Sequence, residues 1–118
     1  MASKPVQRSL KHLRLEGWTC CVVEKYIAAI KKRQDAFGFG DILACRQNPL
    51  GAEAYIVGEI ALVQASDITS FAKRRAKILA EPQFRKWKEA GGVVFLDGWG
   101  KKGPRGARKT WQLRREVL

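Results

Sequence analysis

Asp41-Ile42-Leu43-Ala44-Cys45 and, beyond a turn, Tyr55-Ile56-Val57-Gly58-Glu59-Ile60-Ala61-Leu62-Val63-Gln64-Ala65 are the stretches from which the fold is read. The first is a short apolar run opened by a carboxylate, straight after the turn-forming Phe37-Gly38-Phe39-Gly40. The second is the longest apolar run in the chain. It suits a central strand, because a strand covered on both faces reads as a near-continuous hydrophobic stretch. Asn48-Pro49-Leu50-Gly51, between them, has the chemistry of a hairpin turn.

Upstream, Ser3 and Pro5 open a helix from Lys4 to Glu16, with Val6, Leu10 and Leu13 on one apolar stripe and Gly17 closing it. Trp18 to Ile27 is rich in β-branched and aromatic residues and reads as one strand, followed by a polar loop over Lys31 to Asp35. Downstream, a helix from about Ser70 to Ala80 should turn Phe71, Ile78 and Leu79 inward. Pro82 starts another, which reaches Ala90 and stops at Gly91-Gly92. Val93 to Trp99 is a strand. Thr110 to Val117 places Trp111, Leu113, Arg115 and Val117 on one face of a last strand. The order predicts a mixed α+β (α/β) domain, a mixed sheet flanked by helices.

At 118 residues the chain has room for a single domain, 1–118. Lys and Arg number 23 against 11 Asp and Glu, a net charge of +12 that points to a polyanionic partner, above all nucleic acid. No apolar run approaches the ~18 residues of a membrane span, and the N-terminal residues lack the apolar core of a secretory signal. Cys20, Cys21 and Cys45 have no metal-ligand spacing and read as free thiols. No membrane partner and a cytoplasmic location are therefore expected. Phosphate-loop and dinucleotide-binding motifs are absent.

The cations cluster. Lys73, Arg74, Arg75 and Lys77 share one predicted helix, and Arg85, Lys86 and Lys88 the next. Lys101, Lys102, Arg105, Arg108 and Lys109 follow without an acid among them, and the glycines of 100–109 make this segment a flexible basic arm or loop. Closely spaced cations on such an arm suit a phosphate backbone, and Trp111 beside it is a candidate base-stacking ring. The acids are few. Asp41 opens a buried strand, where a carboxylate is costly unless a divalent cation or a basic side chain pairs with it. Glu24 is expected on a strand face with Val22 and Tyr26, Asp35 on the turn before Asp41, and Gln64 and Ser66 on one face of the long strand.

The run of an N-terminal helix, Gly17-Trp18 and a β-rich stretch, Asp41-Ile42-Leu43-Ala44, and a long strand ending Leu62-Val63-Gln64-Ala65-Ser66 resembles the PD-(D/E)XK nuclease superfamily. Within it, the chain is similar to small archaeal-type Holliday junction resolvases and related phage proteins. The likeness continues through Gln83 to Ala90, Gly91-Gly92-Val93-Val94-Phe95-Leu96 and the basic segment. It implies a restriction-endonuclease-like fold with about five strands and a Mg²⁺- or Mn²⁺-dependent DNA endonuclease (a phosphodiester hydrolase) acting on junction or other branched DNA, as a two-fold dimer.

The family's metal-binding Asp is matched by Asp41. Its E-x-K is replaced by Gln64 and Ser66, and its helix acid by Glu24, with Asp35 as a second candidate. The resemblance thus implies Asp41, Glu24 and Gln64 as metal ligands. A cation from the following helix (Arg74, Arg75 or Lys77) would serve in place of the lysine. Two other readings stand beside this one: a catalytically silent DNA- or RNA-binding module on the same fold, and a basic scaffold for protein partners.

Overall fold

Ser3 caps the first helix as its hydroxyl accepts from the Val6 N–H at 3.5 Å, and Pro5 sits in the first turn of α1 (Lys4–Leu15). Val6, Ser9 and Leu13 form its buried stripe. The computed structural model describes residues 2–47 and 58–118. The Asn48–Gly51 turn and the start of the long strand, Tyr55–Val57, lie outside the described residues.

The expected strand over Trp18–Ile27 is two strands. β1 (Thr19–Val22) joins the main sheet, while β2 (Lys25–Ile27) leaves it to pair with β3 (Lys32–Gln34). The segment read as a polar loop is thus half of a small hairpin, and Lys31 turns its corner at φ +50°. β4 (Ile42–Gln47), β5 (Gly58–Asp67), β6 (Val93–Lys102) and β7 (Thr110–Val117) complete the sheet, ordered β1-β4-β5-β6-β7. Among the described residues only the β5–β6 pair is parallel, and α2 (Phe71–Ala80) and α3 (Pro82–Glu89) make the crossover it requires. The molecule is therefore a mixed α+β fold with a five-stranded mixed sheet and three helices among the described residues.

Alternation along β5 divides the core. Ala61, Val63 and Ala65 face α1, together with Ile42, Ala44, Trp18 and Phe95. Leu62 faces the other way, onto Phe39, Phe71, Ile78, Val94 and Leu96. Leu79 is 46 % exposed, not inward. Phe71 and Ile78 lie two turns apart on one stripe, and the residue after Ile78 is rotated about 100° off it. Among the described residues, no helix is long and apolar enough to cross a membrane.

The α2 side of β6 is notched by glycine. A Cβ at Gly98 would lie 2.6 Å from the Phe71 ring and 2.9 Å from Ile68. Gly98→Ala should therefore cost about 1–3 kcal/mol through overpacking, measured as a lower urea midpoint at unchanged slope. A neutral result would mean that Phe71 is free to repack.

Candidate metal and phosphate site

The turn before Asp41 closes on itself. Ala36 and Gly40 exchange two backbone hydrogen bonds of 2.8 Å, and Phe39, fully buried, pins the loop to the core beside Phe84. Gly38, at φ +82°, lies against the Glu81 carboxylate, where a Cβ would come within 2.7 Å. This closure sets Asp35 and Asp41 side by side although six positions separate them. The Val23 N–H donates to the Asp41 carbonyl at 2.9 Å, which brings in Glu24. Glu24 is therefore on the link between β1 and β2, not on a strand face with Val22 and Tyr26.

One carboxylate oxygen from each of Glu24, Asp35 and Asp41 lies within 4.8 Å of the others. Asp41 is only 3 % exposed; its Oδ2 accepts from the Ala65 N–H at 3.0 Å and from Gln64 Nε2 at 2.9 Å. Burial, then the neighbouring Asp35 charge, pushes its pKa up to about 8, against the pull of the Ala65 N–H. Burial and Asp35 thus favour the protonated form of Asp41, and a cation bound here would compete with that proton. Three hard oxygen donors converging at this spacing fit a Mg²⁺ or Mn²⁺ ion.

These groups line a cavity of about 250 Å³ together with Ser3, Arg33, Arg74 and Lys77. Arg33 reaches Glu24 at 3.4 Å from the small hairpin. Arg74 and Lys77, three residues apart on α2, stand on one side of the helix, as i,i+3 neighbours do. Arg75 points elsewhere, paired with Glu116 on β7. Gln64 lines the cavity too; its amide nitrogen donates to Asp41 and orients that carboxylate, and Asp35 joins Glu24 and Asp41 in the acidic group. Ser66 is buried further along the same face and donates to the Asp97 carbonyl at 3.5 Å.

The basic segment is a β-hairpin. Lys101 and Lys102 belong to β6, paired with Trp111 and Thr110, and residues 103–109 make the connection. Lys101, Lys102, Arg105, Arg108 and Lys109 are all exposed and lie outside the cavity lining. The Trp111 ring is covered by Arg8, whose guanidinium carbon sits 3.5 Å from its centroid.

A second polar centre lies on the α1 side. Buried Asp97 accepts from Arg115 Nε at 2.7 Å, Arg115 Nη2 at 3.0 Å and the Ser9 hydroxyl at 2.7 Å; Ser9 in turn accepts from Trp99 Nε1. Arg115 Nη1 reaches Glu16 at 2.8 Å. The signal for it was an Asp inside the apolar strand Val93–Trp99, opposite a strand face carrying one Arg. Neither protein-family models, nor curated proteins, nor solved structures yield a match to this chain.

Proposed function

We propose that this protein is a Mg²⁺- or Mn²⁺-dependent DNA endonuclease of the resolvase-like kind, built on a restriction-endonuclease-like fold. The observation that carries the reading is the meeting of Glu24, Asp35 and Asp41 with Arg74 and Lys77 in one cavity. The three carboxylates would hold the ion, which when bound supplies an activated water and positive charge for phosphodiester hydrolysis. Gln64 and the Ala65 N–H keep Asp41 aimed at the site. Arg74 and Lys77 offset the charge that grows on the phosphate oxygens. The cations of the β6–β7 hairpin, Arg105, Arg108 and Lys109 foremost, hold the DNA backbone. A two-fold dimer matches a four-way junction, which presents two symmetric strands.

Gln64 and Ser66, where the family carries E-x-K, favour a second reading, a binding module without cleavage. The test separates them. Purified protein incubated with junction, flap, duplex and single-stranded DNA should nick at least the branched substrates with Mg²⁺ or Mn²⁺, and none in chelator. Binding should weaken by roughly 10³-fold between 50 and 200 mM salt if six or more phosphates are contacted, and charge reversal at Arg105, Arg108 and Lys109 should flatten that slope. Salt-dependent binding with no cleavage supports the silent module. A flat salt response removes nucleic acid and leaves the protein scaffold.

A further inference from the structure

Phe37 is a bulky aromatic held at φ +54° and left 50 % exposed. An L-residue of this kind in the left-handed region is strained, and half a ring in water does little to offset that. The loop around it is tightly built, so the ring is fixed in place: Ala36 and Gly40 are doubly bonded, and Gly38 donates to the Asp35 carbonyl at 3.2 Å. Phe37 follows Asp35, a member of the acidic cluster, by two residues in the chain.

The ring forms one wall of an apolar cavity of about 230 Å³, completed by Trp87, Gln83, Lys86 and Ala90. Trp87 is itself fixed: its Nε1 donates to the Val93 carbonyl at 2.9 Å, and its indole lies against Gly92, where a Cβ would come within 2.2 Å. The two rings stand 5.9 Å apart at 37°. The lining contains a cation and an amide but no acid. Trp111, another exposed ring, is already covered by Arg8.

We infer that the Phe37–Trp87 cavity takes one unpaired nucleobase of the nucleic acid, stacked on Phe37, with the amide of Gln83 at its edge and Lys86 on the adjoining phosphate. A base offers a flat π-face to the ring and an anionic backbone to the lysine, and the net charge of +12 favours that partner over an apolar peptide. This rests on the nuclease reading and names the feature of the substrate that reading leaves open. A strand with an unpaired base is held; a continuous duplex gains nothing from the cavity.

The test uses the full chain in chelator with a 2-aminopurine oligonucleotide, single-stranded or gapped, and a blunt duplex as control. Wild type should quench the probe. Phe37→Ala should abolish the quench and lose roughly tenfold affinity for unpaired DNA while leaving the duplex unchanged. Phe37→Tyr should restore both effects and Phe37→Leu neither, a comparison that holds even if Phe37→Ala folds poorly. Leu matching Tyr would mean an apolar contact of the kind a protein partner makes, and would overturn the inference. So would an equal loss on duplex, or no loss at all. Binding to unpaired DNA that ignores Phe37 sinks this inference alone, whereas no binding to any DNA at low salt sinks the nuclease reading with it.

Discussion

Asp41→Asn should abolish cleavage, by on the order of 10³-fold or more, and at the same time make the metal-free protein more stable at neutral pH. The two effects have one cause. Asp41 is buried among Asp35, Glu24 and an incoming N–H, and its folded pKa is raised from 3.8 to about 8. A raised acid binds more protons folded than unfolded between those values. Stability from this group is therefore fully present below about pH 4, declines as pH rises toward 8, and is level above. The shift corresponds to several kcal/mol.

Asn is the neutral copy of the protonated acid. Its oxygen accepts from Ala65 and Gln64, its amide donates toward Asp35, and no charge has to be buried. Thermal melts in chelator should fall from pH 5 to pH 8 for wild type and stay flatter for the variant. Mn²⁺ should raise the wild-type midpoint more at pH 8 than at pH 6, because the ion must displace the proton, and should leave the variant unmoved. Wild-type cleavage in Asp41→Asn, or wild-type melts without a pH slope, would refute the assignment.

Arg115→Met should cost about 3–5 kcal/mol, because it takes the guanidinium away from buried Asp97 and leaves it only the Ser9 hydroxyl. Adding Asp97→Asn should recover much of that loss, since the orphaned charge is what hurts. Urea denaturation of the two single variants and the double variant gives the coupling directly. Strictly additive costs would mean that the pair is not a unit.

Elements with their own period were legible in the sequence. α1, α2, α3 and the strands from β4 onward follow from apolar stripes, caps and runs, and they meet the structure within a residue or two where they are described, except that β6 runs three residues past Trp99, to Lys102. Trp18–Ile27 failed because β propensity says nothing about which sheet a strand joins. The chain breaks at Val23, whose N–H goes to Asp41, and re-pairs locally in the small hairpin. In the site, Asp41 and its neighbours Asp35 and Glu24 were visible as rare acids near glycine turns. Their convergence was not, since it depends on the Ala36–Gly40 closure. Gln64 was read by position as a ligand through its amide oxygen; its amide nitrogen donates to Asp41, which leaves that oxygen for a cation. Asp97 escaped because its partners, Ser9 and Arg115, come from opposite ends of the chain.

That last contact bears on the order in which the protein is made. Ser9 and Glu16 are synthesised about 100 residues ahead of Arg115. A nascent chain halted before β7 has its first helix and most of its sheet, yet Asp97 has no guanidinium and β6 has a bare edge. At a typical synthesis rate of 5–20 residues per second, the eight residues of β7 take about 0.4–1.6 s, so the exposed state is brief unless translation stalls. A stalled or clipped chain of this kind would be the form that proteases and edge-to-edge aggregation find first.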